Sequence, residues 1–331
     1  MTEKKKTRRM PFFLSMGSCP RRCVYCDQRE ITGKRTILSP GEVGERVSLL
    51  DGPHEICFFG GSFTCFPLPR QKEYLECIHA APSGSTLRFS THPGCISPAG
   101  LDFLSPYPVS MIELGVSSLD DAVLRNSNRG YTGGQALAAM KLVLEKGFGL
   151  CAQMMIGLPG QSEASSLEDL DRIAAMAPRA GTVFLRIYPC LVLKGTTLAD
   201  LLRAGAYSPL SADQGARWAG KMLLKARSLG FSVLRVGLQE TESLSSSVMD
   251  GPHHPALGEL ARAACLAFSL ASRSASAPPL TEKDALLMKA HGKYGLRLLA
   301  ELTGKNKDEL EDKLSLSHFS EREVDGSGSS E

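Results

Sequence analysis

The sequence contains no apolar run long enough to cross a lipid bilayer, and its first ten residues lack the apolar core of a secretory signal peptide. Acidic and basic residues nearly balance, and a formal net charge of +3 does not by itself indicate binding to nucleic acid. No internal repeat is present. These absences predict a soluble, cytoplasmic protein that does not bind membranes.

The sequence also lacks the dense cysteine framework of a small secreted disulfide domain. It has ten cysteines in 331 residues, and only three of them are close together in the chain. The other seven are isolated, give no second cluster motif and are predicted to be mostly small buried hydrophobic residues: Cys57, Cys65, Cys77, Cys95, Cys151, Cys190 and Cys265.

Apolar segments typical of buried strands alternate along the chain with helical patterns. Strands are predicted at 11–16, 55–59, 86–90, 109–116, 150–156 and 182–188, with an extra strand at 231–236. The segment 213–229 places Trp218, Met222 and Leu229 on one face and predicts the longest helix. Such alternation indicates a parallel sheet covered by helices. The predicted fold class is therefore α/β, a partial (β/α)6 TIM-like barrel.

The rest of the chain is divided by changes in composition. We predict a basic leader at 1–10, the barrel at 11–240, a small, mainly helical C-terminal extension at 241–319 and a disordered polar tail at 320–331. The leader contains Lys4, Lys5, Lys6, Arg8 and Arg9. It is interpreted either as a solvated tail or as an electrostatic contact for RNA or another polyanion.

The most informative stretch is Cys19-Pro20-Arg21-Arg22-Cys23-Val24-Tyr25-Cys26, a C-x3-C-x2-C motif with an aromatic residue before the last cysteine. Three thiolates on so short a loop can bind three irons of a [4Fe–4S] cluster and leave the fourth iron open. The alternative is structural zinc, which usually takes a fourth Cys or His, and none follows at ligand spacing. Cys19, Cys23 and Cys26 are thus the predicted metal ligands and catalytic centre.

Four loops are predicted to meet at one end of the barrel. The cysteine loop, Gly60-Gly61, Thr91-His92 and Gly157-Leu158 each follow a predicted strand. Because the carboxyl ends of parallel strands lie at the same edge, and barrel enzymes carry their chemistry there, these loops predict a single active site.

The cysteine motif, together with Gly60-Gly61-Ser62-Phe63-Thr64 after the second strand, resembles the radical S-adenosylmethionine (SAM) family. Within it, the chain resembles the radical SAM domain of the Elongator catalytic subunit and, more distantly, oxygen-independent coproporphyrinogen III oxidase. The motifs that carry this resemblance cover about 11–240: Ser90-Thr91-His92-Pro93, Glu113-Leu114-Gly115-Val116-Ser117-Ser118, Arg129-Gly130-Tyr131, Gln153-Met154-Met155-Ile156-Gly157-Leu158-Pro159-Gly160 and Arg186-Ile187-Tyr188-Pro189.

The resemblance implies a role for individual residues around a [4Fe–4S] cluster and SAM. The implied cofactor contacts are Tyr25 and Gly157 at the adenine, Gly60, Gly61 and Ser62 at the methionine amino group, Arg129 at the carboxylate, Ser118 and Gln153 at the ribose, and Thr91 in the loop that lines the site. Glycine suits such a contact because a Cβ atom would prevent close approach.

Two residues depart from the family pattern. His92 stands where the family has arginine, and Ser117 replaces the glutamine of G-V-Q-S. The cysteine spacing is shorter than in archaeal and eukaryotic Elongator subunits, and the acetyltransferase domain that follows there is absent. The chain therefore looks like a shorter bacterial relative with only the radical half.

The implied reaction is reductive cleavage of SAM to a 5'-deoxyadenosyl radical that abstracts hydrogen from a substrate. It requires a reductant protein, flavodoxin or ferredoxin. Elongator-like proteins act on tRNA, so RNA modification is the first hypothesis for the substrate, and a small molecule or peptide is the second. A non-catalytic zinc-binding protein is the alternative from another class.

Two further groups of residues are candidates for ligand binding. His253, His254 and Glu259 are interpreted as a structural turn and helix start rather than as a metal site, because a metal needs further ligands at defined geometry. Arg186 and Arg235, at strand ends, are better candidates for contacting an anionic substrate.

Overall fold

The computed structural model describes residues 8–177, 182–272 and 280–316. Residues 1–7 of the predicted leader and the predicted tail at 320–331 lie outside these ranges. Within the ranges, no helix has both the length and the apolar character that a membrane span requires.

Seven parallel strands form the central sheet and lie side by side in chain order: β1 (Arg8–Phe13), β2 (His54–Phe59), β3 (Thr86–Thr91), β4 (Val109–Ser117), β5 (Leu150–Ile156), β6 (Val183–Pro189) and β8 (Ser232–Val236). Two short strands, β7 (Val192–Leu193) and β9 (Val248–Asp250), form a separate antiparallel pair. In the part of the chain that the structure describes, β1 and β8 do not pair with each other, so the barrel is open. This confirms the predicted partial α/β barrel and the extra seventh strand.

Helices connect successive strands and cover the outer face of the sheet. Those of the barrel are α1 (Gln28–Thr32), α2 (Pro40–Ser48), α3 (Leu68–Glu76), α4 (Pro98–Leu104), α5 (Asp121–Asn126), α6 (Gly133–Glu145), α7 (Glu163–Met176), α8 (Thr197–Arg203) and α9 (Ala212–Ser228). The core between helices and sheet combines aliphatic residues such as Leu114 and Leu185 with aromatic ones such as Phe58 and Phe89, all of them buried. Burial of this apolar surface is the main term that holds the barrel together.

Capping boxes define where several helices begin. Thr132 and Gln135 cap the start of α6 reciprocally, and Ser211 and Gln214 do the same for α9. Each pair satisfies backbone N–H groups that the first helical turn leaves unpaired. The loops between strand ends and helix starts are thereby held in place.

Strand β1 differs from its prediction at 11–16. It begins earlier, because Arg8 and Arg9 are already in register with His54 and Glu55 of β2. Arg8 also forms an ion pair with Asp51 at 3.0 Å, and Arg9 with Glu55 at 2.8 Å. An apolar pattern misses such a start, since the first residues of the strand are charged. The end of the predicted leader is thus part of the sheet.

The C-terminal extension is mainly helical, with α10 (Glu242–Ser247), α11 (Leu257–Ala271), α12 (Glu282–Thr303) and α13 (Lys307–Leu316). Helix α11 packs closely on α9, where a Cβ atom at Gly220 would lie 2.7 Å from Cβ of Ala264. Helix α12 has non-helical backbone at 290–293. Helix α10 contacts α1 next to the cysteine loop, through a hydrogen bond of 2.9 Å from Ser243 to Glu30. The extension therefore packs against both the covering helices and the site end of the barrel.

Candidate active site

The three predicted cluster ligands lie on the loop between β1 and α1. Cys19 is exposed, and Cys23 and Cys26 are partly buried. The Cys26 amide donates to the Cys23 carbonyl at 3.1 Å, which forms a tight turn. Directly after the third cysteine, the Asp27 carboxylate caps α1. The loop is thus fixed at the carboxyl end of the sheet, where the sequence places the site.

Each thiol contacts a polar side chain: Cys19 Sγ lies 3.5 Å from Ser62 Oγ, Cys23 Sγ 2.9 Å from Arg129 Nη1, and Cys26 Sγ 3.6 Å from Gln28 Nε2. Hydrogen bonds to sulfur tune cluster ligands. Burial raises the pKa of Cys26 to about 12, and the nearby Cys23 side chain adds to the rise. The thiol is therefore protonated until a metal displaces the proton, so metal binding releases protons.

The donor set of this loop fits a cluster. Three cysteine thiolates on one short loop can bind three irons of a [4Fe–4S] cluster. Each sulfur also has a polar neighbour, and hydrogen bonds to the sulfurs tune such a cluster.

The local backbone requires glycine at both positions after β2, Gly60 and Gly61. A Cβ atom at Gly61 would lie 2.4 Å from the Leu14 carbonyl oxygen and 2.8 Å from that of Gly17. Gly60 has a positive φ of 79°, which favours glycine. The Ser62 amide donates to the Gly17 carbonyl at 3.1 Å. This glycine segment thus supports the start of the cysteine loop.

Arg129 brings a positive charge to the cysteine loop. Its guanidinium is buried and donates from Nη1 to Cys23 Sγ, from Nε to the Tyr131 hydroxyl at 2.9 Å, and from Nη2 to the Gly115 carbonyl. Tyr131 in turn donates to Gly115 at 2.7 Å. Since the guanidinium cannot be deprotonated, this is a fixed cation beside the predicted cluster ligands.

His92 forms a hydrogen bond with the backbone of Arg129. Its Nδ1 accepts a hydrogen bond from the Gly94 amide at 3.0 Å, so its Nε2 carries the proton and donates to the Arg129 carbonyl at 2.9 Å. Burial, reinforced by the Arg129 charge, lowers the pKa of His92 to about 4. The residue that departs from the family pattern is therefore a neutral support of Arg129.

Tyr25 and the other departure, Ser117, contact each other. The Tyr25 hydroxyl lies 3.1 Å from Ser117 Oγ, and Ser117 has a positive φ of 63°. Burial raises the pKa of Tyr25 well above its usual value, so the hydroxyl stays protonated. A serine at this position orients the ring that was predicted to contact adenine.

Two residues predicted to contact the cofactor, Ser118 and Thr91, have side chains that form hydrogen bonds within the protein. The Ser118 hydroxyl, assigned to the ribose, donates to the Asp169 carboxylate of α7 at 2.8 Å. The Thr91 hydroxyl lies 2.7 Å from that of Thr64 and also accepts from the Thr64 amide. The Ser118 hydroxyl thus contacts the covering helix α7, and the Thr91 hydroxyl contacts the loop that follows β2. The roles of both residues at the cofactor stay predictions.

Gln153 does face the barrel interior. Its amide donates to Glu113 at 2.7 Å, and Glu113 is fully buried. The Arg186 guanidinium, from the neighbouring strand, contacts the same carboxylate at 3.0 Å. The interior of the barrel is thus polar and charged next to the predicted ribose position.

Gly157 adopts a positive φ of 79°, and its carbonyl accepts from the Tyr207 hydroxyl at 2.6 Å. A cavity of about 420 Å³ borders this loop, with Tyr207, Leu210, Trp218 and Asn126 among its lining residues. The predicted adenine contact therefore lies beside open space.

Cys65 and Cys95, expected to be isolated buried residues, form a disulfide with Cα atoms 5.2 Å apart. Cys65 lies in the loop after β2 and Cys95 in the loop after β3. Thirty residues separate them in the chain, so only their parallel-strand neighbourhood could have revealed the pairing. The disulfide links two loops at the site end of the barrel.

His253, His254 and Glu259 each contact a nearby polar group, and their predicted structural role stays a prediction. His253 Nε2 pairs with Glu240 at 3.0 Å, and His254 Nδ1 accepts from the Ala256 amide. Glu259 pairs with His291 at 2.6 Å. The His254 ring lies edge-on to the His291 ring, with centroids 6.0 Å apart, so His254 and Glu259 meet at His291 while His253 pairs with Glu240.

Two family models match the chain. The radical SAM superfamily model matches residues 14–173, and the radical SAM C-terminal domain model matches residues 182–265. Together they include every cysteine of the motif and every strand of the central sheet except β1, which ends just before the first matched residue.

Curated relatives match about half of the chain. An uncharacterised protein of Methanocaldococcus jannaschii is 29% identical over 163 residues, 48% of this chain and 49% of the relative. Elongator complex protein 3 of Saccharomyces cerevisiae is 26% identical over 179 residues, 48% of this chain and 32% of the relative. The match therefore spans half or less of the length of these relatives.

Solved structures share the fold. The archaeal Elp3 of Methanocaldococcus infernus superposes with a TM-score of 0.58 at 19% identity, covering 77% of this chain and 62% of that one. SuiB of Streptococcus suis gives a TM-score of 0.50 at 12% identity, covering 72% and 51%. With the cysteine loop and the two matching family models, the chain belongs to the radical SAM superfamily.

Proposed function

We propose that this enzyme binds a [4Fe–4S] cluster through Cys19, Cys23 and Cys26, and cleaves SAM reductively to abstract hydrogen from a substrate in the cytoplasm. The cluster, when bound, supplies the electron that splits SAM into methionine and a 5'-deoxyadenosyl radical. A flavodoxin or ferredoxin is the proposed electron donor.

The observation that carries this proposal is the contact of 2.9 Å between Arg129 Nη1 and Cys23 Sγ. It brings a permanent cation beside the proposed cluster ligands, where the carboxylate of SAM can form a charge-assisted pair. Tyr25, oriented by Ser117, supplies an aromatic face for the adenine. The barrel excludes water from the reacting atoms.

Spectroscopy tests the proposed cofactor site. Anaerobically reconstituted protein is reduced, and its electron paramagnetic resonance spectrum is recorded before and after addition of SAM. We expect a cluster signal that changes when SAM binds the open iron. A protein that retains zinc and no iron after reconstitution would be the non-catalytic alternative.

For the substrate, we propose tRNA. The surface around the cysteine loop carries exposed cations, among them Arg22, Arg29 and Lys34. Basic residues near an active site favour a phosphate backbone. Arg8 and Arg9 are already paired with carboxylates, so any contribution of the leader comes from residues 4–6.

Salt-dependent binding tests this substrate. The double variant R22Q/R29Q should bind tRNA more weakly and with a shallower dependence on salt, since fewer counterions are released. The matched control K283Q/K305Q removes two exposed lysines of the extension and should bind like the unmodified protein. Binding that is indifferent to salt and to both variants would favour a small molecule or peptide instead.

A further inference from the structure

Three polar side chains form one row across the last strands of the barrel. Gln153 of β5 is in register with Arg186 of β6, and Arg186 is in register with Arg235 of β8. Arg186 reaches Glu113, and its guanidinium lies 5.7 Å from the ring centroid of Phe59 on β2. The row therefore lines the interior, and Arg235 lies at its open edge.

Within the described residues, the ion-pair network of the interior contains more cations than carboxylates. A continuous network of ion pairs crosses it from β1 to β6: Arg9 with Glu55, Glu55 with Arg88, Arg88 with Glu113 and Glu113 with Arg186. Three guanidinium groups share two carboxylates here. Glu55 and Glu113 each pair with two of these arginines, and neither pairs with a residue of the last strand, β8.

Arg235 adds a fourth cation without a carboxylate partner among the described residues. Its Nε donates to the Gly237 carbonyl at 3.1 Å, which leaves the two terminal nitrogens for another acceptor. The buried Nε of Arg186 also has no hydrogen-bond partner in the described ranges. Like charges on directly neighbouring strand positions are destabilising, so an anion between them would offset the repulsion.

We propose that Arg186 and Arg235 form a subsite for an oxyanion group of the substrate, a phosphate or a carboxylate. A guanidinium presents two parallel N–H donors that match either group. Neighbouring strands are about 4.8 Å apart, so the two arginines can reach one anion. This inference rests on the proposed function, because Gln153 in the same row is the expected ribose contact.

The subsite would fix the substrate by its charge one strand away from Gln153, the predicted ribose contact. Arg186 is anchored by Glu113 and by the Tyr188 hydroxyl at 3.1 Å, so it is a rigid part of the subsite. Arg235 has fewer contacts and is the better residue to substitute.

Calorimetry on the anaerobically reconstituted protein with SAM tests the subsite. The probes are inorganic phosphate, uridine 5'-monophosphate and succinate, which separate phosphate from carboxylate recognition. We expect one oxyanion class to bind, and R235Q to weaken that binding at least about tenfold, as for a lost hydrogen bond to a charged group. R235K keeps the positive charge but loses the paired N–H donors of the guanidinium, and it should bind the anion with intermediate affinity.

R297Q, which removes an exposed arginine of α12, is the control and should bind the probe like the unmodified protein. If none of the three probes binds, or if R235Q and R235K both bind as tightly as the unmodified protein, the subsite is rejected. Circular dichroism checks the fold of each variant, and R235K decides if R235Q does not fold. Formation of 5'-deoxyadenosine is measured separately, so failure of the subsite and of the proposed function are distinguished.

Discussion

The Nε2 atom of His92 lies 2.9 Å from the carbonyl oxygen of Arg129, the residue whose guanidinium contacts Cys23. A side chain in the loop after β3 thereby holds the backbone of the cation at the cluster site. Because Gly94 donates to the other ring nitrogen, both hydrogen-bonding positions of this histidine are used.

Removal of His92 should weaken SAM binding. H92A leaves the buried Arg129 carbonyl without its donor, and the loss of such a bond is worth about 1–3 kcal/mol. We expect the dissociation constant of SAM, measured by equilibrium dialysis, to rise about tenfold. H92Q can still donate to the carbonyl and should recover part of the affinity. Unchanged affinity in H92A would show that Arg129 does not need this support.

Arg129 should not be replaceable by lysine. The guanidinium donates to three different acceptors at once, whereas an ammonium is a compact point charge without the planar fork. R129K should lower SAM affinity at least about tenfold. The control R125Q, at an exposed arginine of α5, should behave like the unmodified protein. Equal losses in the two variants would contradict a specific role of Arg129.

Gly61 should not tolerate a side chain. A Cβ atom would meet the carbonyl oxygens of Leu14 and Gly17, and backbone atoms cannot move aside easily. We expect G61A to lower the free energy of unfolding of the metal-free protein by about 1–3 kcal/mol in a denaturant titration. G41A, in the exposed first turn of α2 with open space around it, should be neutral or slightly stabilising. If G41A were destabilised more than G61A, the backbone at Gly61 would be able to move away from the carbonyl oxygens of Leu14 and Gly17.

The disulfide between Cys65 and Cys95 should be detectable by its chemistry. Before reduction, both should resist alkylation in the unfolded protein, and mass spectrometry should find their peptides linked. Closing a ring of this size stabilises a fold by about 3–4 kcal/mol in the chain-entropy model, so the C65A/C95A variant should unfold at lower denaturant concentration. Alkylation of both residues without reductant would exclude the bond.

The fold was predictable because strand and helix patterns alternate clearly along the chain. Strands β2 to β6 lie within one or two residues of their predicted positions. Strand β1 was misplaced because its first residues are arginines, whose ion pairs with Asp51 and Glu55 form only after folding. Apolar periodicity does not contain that information.

The site was predictable to the level of loops, and less so to the level of side chains. The motif located Cys19, Cys23 and Cys26 on a loop at the expected edge. It could not show that Ser118 turns toward Asp169, because the side of a strand that a residue faces depends on its register. The pairing of Cys65 with Cys95 also depends on which loops are neighbours in space.

The central claim is most directly tested by the formation of 5'-deoxyadenosine. Anaerobically reconstituted protein is incubated with a strong reductant and SAM, and the product is measured by mass spectrometry. We predict product from the unmodified protein and none from C19A, C23A or C26A, with C57A, a buried cysteine outside the motif, as the matched control that remains active. Product formation by any of the three motif variants at the rate of the unmodified protein, or none from the unmodified protein when it carries its cluster, would contradict the account.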